Sequence, residues 1–251
     1  MIRKAFADSW MALKEHPKLF VPDFIYRIIV ICLSFYFASY FTVLANVFNA
    51  ETFLIDNFLT SEVLNAIYFI GFLLIIQLLL GVFTESVRYG MINDVIKKKK
   101  SLLSMSKNYV KDYFFRILKL KVITGLIMLI SAGLIFLIVL PLNFTVLKNS
   151  LFLTFIAIAG VVYVLMSLAL FFRYPILIMN NKTAWASIVD SYKFFRKNLK
   201  YTFFIAVISS LVAVVSLFGA GIPIISLGIS FLVTLWISVF IFNSYHLKRK
   251  S

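Results

Sequence analysis

Six long apolar blocks, separated by more polar segments, constrain this chain more than any other feature. An α-helix rises 1.5 Å per residue, so about 20 apolar residues cross the roughly 30 Å hydrocarbon core of a bilayer. We therefore predict transmembrane helices over residues 28–47, 63–83, 122–142, 151–172, 203–218 and 222–243. The expected fold class is all-α: a polytopic transmembrane helical bundle of six spans, with amphipathic interfacial helices on the cytoplasmic side.

The composition excludes a water-soluble globule. Hydrophobic residues make up 62% of the 251 residues, and charged residues make up only 14%. Such a chain has too little polar surface to cover its core in water. Lipid therefore has to form part of its solvent.

The basic residues fall almost entirely on one side of the predicted spans. Of the 25 Lys and Arg residues, 24 lie on that side, and Lys148 is the exception. The first loop of the opposite side carries Glu51, Asp56 and Glu62 and no basic residue. Because Lys and Arg resist translocation, the basic side is predicted to be cytoplasmic, with both termini inside a multi-pass plasma-membrane protein. No cleaved signal peptide is expected.

The net charge of +15 indicates a partner of opposite charge. Nucleic acid is not expected, because the basic residues are not interleaved with aromatic residues as on a reading surface. The densest cluster, residues 97–100, instead fits a topology-setting loop that attracts anionic lipid headgroups. Membrane lipids are therefore the predicted partners, and a protein partner or a homo-oligomer is left open.

Aromatic side chains with a polar group mark the same boundary of the membrane. An amphipathic ring lies half in each phase there, so these residues are expected to be anchors rather than cofactor ligands. They are Trp10, Tyr26, Tyr89, Tyr109, Tyr113, Tyr174, Trp185, Tyr192, Tyr201 and Tyr245.

Two amphipathic segments precede predicted spans and share one arrangement. Their apolar faces are Ile2, Phe6, Trp10 and Leu13 in the first and Ile188, Tyr192, Phe195 and Leu199 in the second. In register, DSW at 8–10 coincides with DSY at 190–192, and a fainter third copy covers 106–116. We predict one transmembrane domain, 1–251, built from three units at 1–90, 91–174 and 175–251, each an interfacial helix and a hairpin.

Familiar catalytic and metal-binding motifs are not found in the sequence. His16 and His246 lie near the two ends of the chain, and two histidines alone are weak evidence for a metal site. No catalytic residue, cofactor or metal is expected, and the protein is predicted to be non-enzymatic. Glu85 and Arg88, three residues apart at the end of the second span, are predicted to form an ion pair.

Polar side chains within the predicted spans are few. Gln77 is the most polar of them, and hydroxyls recur every fourth residue on the sixth span at Ser226, Ser230, Thr234 and Ser238. Small residues line the fifth span at Ala206, Ser209, Ala213, Ser216 and Ala220. Two readings stay open: these stripes pack together, or they line a water-filled pathway.

The stretch 173–201, RYPILIMNNKTAWASIVDSYKFFRKNLKY, carries a family resemblance. It resembles a motif of a broad group of prokaryotic six-span membrane proteins of archaea and bacteria, similar to the membrane domain attached to some glycerophosphodiester phosphodiesterases. The matching positions are Arg173, Pro175, Ala184, Ser191, Tyr192 and Arg196. The resemblance implies the six-span layout and no settled role; the catalytic barrel is not expected, because spans and loops use the 251 residues.

Function is predicted from where the polar residues lie. The leading hypothesis is a scaffold, accessory or lipid-interacting module with a basic cytoplasmic face. The alternative is a small permease, channel or lipid-translocating transporter whose pathway runs between the hairpins. An enzyme acting on lipid headgroups is a third and weaker hypothesis.

Overall fold

The computed structural model describes residues 1–42, 61–98, 103–145, 150–215 and 223–250, with side chains over 1–42, 63–98, 103–134, 159–214 and 228–250. Helix is the only regular secondary structure in these ranges. The helices are α1 (Ile2–Glu15), α2 (Val21–Tyr36), α3 (Ser61–Ile96), α4 (Ser106–Thr145), α5 (Ser150–Ala169), α6 (Arg173–Met179), α7 (Ala184–Lys197), α8 (Leu199–Val215) and α9 (Pro223–Arg249). Short 3₁₀ turns, Pro17–Phe20 and Leu103–Met105, precede α2 and α4.

Five stretches of the described chain are helical, long and apolar enough to cross a membrane: Pro17–Tyr36, Val63–Ile96, Leu103–Leu134, Ala159–Met179 and Gly228–Arg249. A sixth is reached only when α7 and α8 count as one span, although their axes meet at 105°. The 17 described residues of α8 rise about 26 Å, which is short of the hydrocarbon core. The all-α fold is confirmed, and the apolar helices indicate a membrane protein. Six spans and the side of the amphipathic helices stay predictions.

The first apolar helix begins earlier than the predicted span at residue 28. Proline at the start of α2 needs no hydrogen-bond donor there, so the helix begins at Val21 and takes Asp23 and Arg27 into its apolar stretch. It ends at Tyr36, and Phe37 caps it. Two charged residues that the sequence placed before the membrane therefore lie on a candidate span.

Helices α3 and α4 extend well beyond the predicted second and third spans. α3 has 36 residues and α4 has 40. Where the two helices meet, Gly90 of α3 and Tyr109 of α4 are both buried. Residues 106–116, the faint third amphipathic copy, form the first turns of α4 without a break. That segment is continuous with its spanning helix, in contrast to α1 and α7.

Helices α1 and α7 have the same length and the same register. Each has 14 residues, and the register that aligns Ser9 with Ser191 also aligns both helix starts and both C-caps, His16 and Asn198. α7 begins at a Thr183 cap, whose hydroxyl accepts a hydrogen bond from the Ala186 amide at 3.4 Å. The three-unit division stays a prediction beyond this correspondence.

The buried faces of α1 and α7 coincide only in part with the predicted apolar faces. Ala5, Ser9 and Leu13 are buried on α1, and the aligned Ser187, Ser191 and Phe195 are buried on α7. Among the predicted face residues, Leu13 and Phe195 are buried, whereas Trp10 and Tyr192 are exposed, at 57% and 49%. Small residues allow close helix approach, so Ser9 and Ser191 face the protein, and Trp10 and Tyr192 lie outward.

The ends of the helices that carry most described basic residues meet at one end of the bundle, here called the basic end. It holds α1, α6, α7, the C-terminal ends of α3 and α9, and the first turns of α4. Tyr89 stacks on Phe242 with ring centroids 5.2 Å apart and lies 5.0 Å from Tyr174. Tyr89, Tyr109 and Tyr245 are buried here, which corrects their prediction as boundary anchors. Their hydroxyls have protein partners and need no headgroup contact.

Several predictions fall outside the described residues or side chains. They concern the end of the first span, the acidic loop with Glu51 and Asp56, the Glu62 side chain, Lys148, and the Ser216, Ala220 and Ser226 side chains.

Candidate functional site: a buried charge cluster and a basic cleft

Four charged side chains from three helices meet inside the bundle and form what we call the buried charge cluster: Asp23, Glu85, Arg88 and Lys121. Arg88 Nη1 lies 2.8 Å from Asp23 Oδ1, and the two side chains are only 8% and 10% exposed. Lys121 Nζ lies 2.9 Å from Glu85 Oε1. The predicted pair of Glu85 with Arg88 is the longest contact, at 3.9 Å. The cluster is electrically balanced, with two charges of each sign.

Local structure explains why these charges are tolerated. Asp23 lies in the first turn of α2, where the helix dipole stabilises a carboxylate. Arg88 Nη2 donates to Tyr89 Oη at 3.1 Å, and its guanidinium lies 4.8 Å from the same ring. Gly81 borders the cluster, and a Cβ there would lie 3.5 Å from Lys121 Nζ, in ordinary van der Waals contact. A buried ion pair is stable only when its geometry and extra hydrogen bonds offset the loss of water.

Three polar atoms of the cluster have no hydrogen-bond partner in the described part of the chain. They are Asp23 Oδ2, Glu85 Oε2 and Arg88 Nε. A buried group without a partner costs about 1–3 kcal/mol, more when charged, so each calls for an explanation. The cluster has capacity for a further donor to the two carboxylates and for an acceptor from Arg88.

The predicted intramembrane polar residues whose side chains the structure describes do not gather at one site. Ser230 Oγ accepts a hydrogen bond from Arg27 Nη2 at 3.3 Å, which joins α9 to α2. The hydroxyls of Thr234 and Ser238 donate to carbonyls one turn earlier in α9, at 2.7 and 3.0 Å. Thr234 is exposed rather than packed on α8, and Gln77 is half-buried on α3. The cavities described below are lined by other residues.

A cleft of about 1070 Å³ opens at the basic end between α1, the C-terminal end of α3 and the C-terminal end of α9. We call it the basic cleft. Its cationic and imidazole side chains are Lys4, His16, Lys97, Lys98, His246 and Lys250. Asp8 and Glu15 also line it, so four lysines face two carboxylates. The cleft can bind an anion of headgroup size through ammonium groups on several elements.

The two histidines share this cleft, although 230 residues separate them. The described residues contain no group of three or more His, Cys, Asp and Glu side chains placed to hold a metal ion. The pair is therefore described as part of the lining of the basic cleft.

The residues of the family-like motif form the corner between α5, α6 and α7. Ser191 Oγ donates to the Ala169 carbonyl at 2.7 Å, which attaches α7 to the end of α5. Arg173 Nη1 donates to the Leu170 carbonyl at 2.9 Å. Pro175 and Ala184 are buried, whereas Tyr192 and Arg196 are exposed. Buried backbone-bonding positions of this kind hold a turn between helices.

Sequence reasoning missed Asp23 and Lys121 as members of a site. Asp23 and Arg88 are 65 residues apart, and local spacing carries no signal for such a pair. One signal was present: Asp23 follows Pro22 directly before an apolar run, which is the composition of a helix start. That reading would have put the carboxylate inside the helix.

Comparisons with protein-family models, with curated proteins and with solved structures found no match for this chain. The resemblance to the membrane domain of glycerophosphodiester phosphodiesterases stays a prediction.

Proposed function

We propose that this chain is a non-enzymatic integral membrane protein that acts as a scaffold, accessory or lipid-interacting module through a basic cytoplasmic face. The basic cleft is the observation that carries the proposal. It brings Lys4, Lys97, Lys98 and Lys250 from three separate segments to one opening. Anionic lipid headgroups are the ligands that such a cleft fits at a membrane boundary.

The elements around the cleft support a position at the membrane surface. α1 exposes Trp10 and Met11, while Ser9 accepts a hydrogen bond from Asn243 Nδ2 of α9 at 3.0 Å and the half-exposed Phe6 packs on Trp236 of α9. A helix of this kind lies in the boundary between headgroups and acyl chains. The lysines of the cleft then lie at headgroup level.

The test compares anionic and neutral lipid around the full-length protein in nanodiscs. We expect a spin-labelled phosphatidylglycerol to be enriched at the protein over spin-labelled phosphatidylcholine, and the enrichment to fall with rising salt. In the double variant Lys4→Gln/Lys250→Gln the enrichment should fall by about tenfold or more, because each lysine contributes about 1 kcal/mol. Lys107→Gln/Lys111→Gln removes the same charge on α4, outside the cleft, and serves as the control.

If the enrichment of phosphatidylglycerol fell equally in the two double variants, only the overall charge would matter, and a specific role for the cleft would be contradicted. Absence of any preference for anionic lipid in the parent protein would overturn the proposed function itself.

The buried charge cluster favours a second candidate, a small permease, channel or lipid-translocating transporter. Charged side chains within apolar helices commonly belong to transport pathways, and two carboxylate oxygens here have no partner in the described part. The test measures lipid flip and ion flux in proteoliposomes for the parent and for Asp23→Leu/Arg88→Met. Flux that disappears in a variant that still folds would favour transport, and absence of flux in the parent would favour the scaffold.

A further inference from the structure

A second cavity at the basic end lies between the C-terminal end of α3, the first turns of α4 and the turn after α6. Its volume is about 410 Å³, within the range of small-molecule sites. We call it the polar cavity. Its polar lining consists of Asn93, Asp94, Lys97, Asp112, Arg116 and Asn181. Ile178 and Met179 of α6 are its apolar members, and Tyr113 its aromatic one.

The polar cavity presents two charges of each sign. Asp94 and Asp112 are its carboxylates, and Lys97 and Arg116 are its cations. Over the described residues, the ion pairs within 4 Å involve other carboxylates, so these four groups do not neutralise one another directly. A cavity lined by positive and negative groups that do not pair with each other fits a ligand that carries both a positive and a negative charge.

Several contacts hold the lining in place. Tyr109 Oη donates to Asp94 Oδ2 at 2.5 Å, which fixes that carboxylate and leaves its other oxygen available. Arg116 donates to Asn181 Oδ1, and Asn181 has the left-handed backbone angle φ of 55°. Asp112 and Arg116 are one helical turn apart and so share a face of α4. A lining fixed before binding loses less entropy when the ligand arrives.

Asn93 supplies an independent sign of a ligand. It is 5% exposed and lines the polar cavity, and its Oδ1 has no hydrogen-bond partner in the described part of the chain. An unpartnered buried carbonyl is unfavourable, and an N–H donor in the cavity would satisfy it. Asn93 also lies in the last turn of α3, where the helix dipole favours a positive group.

We propose that the polar cavity binds a small zwitterion with a primary ammonium group and a phosphate or carboxylate on a short carbon link. The ammonium group donates to Asn93 Oδ1 and to the carboxylates of Asp94 and Asp112. The anionic group binds Lys97 and Arg116. The proposal goes beyond the proposed function, because it concerns a different cavity and a ligand of both charges.

Other ligand classes fit this lining less well. A metal cation would meet Lys97 and Arg116 in the same cavity, and a simple anion would meet two carboxylates. A quaternary ammonium group has no N–H to donate and is usually bound by several aromatic rings, whereas Tyr113 is the single aromatic residue of the lining. A primary ammonium has three donors, which matches three oxygen-bearing side chains.

The test is calorimetric titration of the full-length protein in nanodiscs of phosphatidylglycerol and phosphatidylcholine. The probes are O-phosphoethanolamine, phosphocholine and inorganic phosphate. We expect O-phosphoethanolamine to bind at one site per chain and the other two to bind at least tenfold more weakly. Asp112→Asn and Arg116→Gln should each weaken O-phosphoethanolamine at least tenfold.

Matched controls remove the same charges elsewhere. Asp190→Asn and Lys111→Gln lie outside the polar cavity and should leave binding unchanged. Asp112 is exposed on the helix, so its variant is expected to fold, and the melting curve checks this. Lys4→Gln/Lys250→Gln should not weaken binding, which separates failure of this proposal from failure of the proposed function.

The source of the zwitterion is tested by adding phosphatidylethanolamine to the discs. If the ligand is the lipid headgroup, the O-phosphoethanolamine signal disappears, because phosphatidylethanolamine already fills the site. If the ligand is a soluble molecule, the signal persists. Both results support the site. Equal binding of phosphate and O-phosphoethanolamine, binding of Mg²⁺ alone that Asp112→Asn abolishes, or no binding of any probe would overturn the proposal.

Discussion

Asp23 and Arg88 show how a charged pair is accommodated between apolar helices. Their side chains are almost fully buried and 2.8 Å apart, and Lys121 and Glu85 complete a balanced group around them. Neither charge would be stable there alone, because transfer of an ion from water costs several kcal/mol. The pair therefore couples α2 to α3 whether or not it serves transport.

Removal of one partner of this pair should be strongly destabilising. Asp23→Ala leaves Arg88 buried without its closest counter-charge, and we expect the free energy of unfolding to fall by about 3–5 kcal/mol. Asp190→Ala breaks the half-exposed pair with Lys182, at 3.7 Å, and should cost less than about 1 kcal/mol. Unfolding of both variants in detergent by denaturant titration measures the difference. A loss for Asp23→Ala no larger than that for Asp190→Ala would contradict a buried pair.

Gly90 allows Tyr109 of α4 to lie directly against the backbone of α3. A Cβ there would lie 2.6 Å from Cγ and 2.9 Å from Cβ of Tyr109, so the ring would have to move. We expect Gly90→Ala to cost about 1–3 kcal/mol, the usual range for overpacking. A Cβ added at Gly71 would meet no atom within 4 Å outside its own helix backbone. Gly71→Ala should therefore be neutral or stabilise the protein by up to about 1 kcal/mol. Thermal unfolding of the two variants is the measurement, and equal changes in melting temperature would refute this packing.

At the scale of the element, α1 and α7 show what helical periodicity reveals and what it does not. Their existence and common register could be predicted, because apolar residues recur at helical spacing and DSW matches DSY. Their buried faces could not. Periodicity identifies an apolar stripe but does not distinguish side chains that face protein from those that face lipid, so it could not show that Leu13 is buried whereas Trp10 on the same stripe is exposed. The full extents of α3 and α4 were missed because charged residues such as Glu85 and Lys121, which end an apolar run in the sequence, pair with each other between the two helices.

The orientation of these helices can be tested with tryptophan fluorescence. Trp10 and Trp185 are exposed on α1 and α7, whereas Trp236 on α9 is 5% exposed. In three single-tryptophan variants, with phenylalanine at the other two positions, doxyl-labelled lipid should quench Trp10 and Trp185 strongly and Trp236 weakly. A doxyl label near the lipid headgroup should quench Trp10 and Trp185 more than a label deep in the acyl chain. Quenching of Trp10 by aqueous acrylamide but not by lipid would contradict an interfacial α1.

At the scale of the whole molecule, the sequence predicted the all-α class and the apolar helices, because both follow from length and composition. It could not predict the sites. The basic cleft combines residues from the two chain ends with the end of α3, and the polar cavity combines α3, α4 and the turn after α6. Those combinations depend on tertiary packing, for which the spacing of residues along one chain gives no signal.

The orientation of the whole molecule follows from charge and can be measured directly. In a Cys32→Ser background, we expect single cysteines at Lys98 or Lys182 to be protected from an impermeant thiol reagent in intact cells. A cysteine at Asn57, in the predicted external loop, should react. Permeabilised cells supply the control for reactivity. Labelling of Lys98→Cys from outside would reverse the predicted topology.

Lys97 lies on the wall that the basic cleft and the polar cavity have in common. One ammonium group cannot give its full charge to two phosphates at once. If an anionic headgroup on one side and a zwitterion on the other both require it, each lowers the affinity of the other by the same factor. The bilayer's lipid mixture would then set the occupancy of both sites through competition for a single side chain.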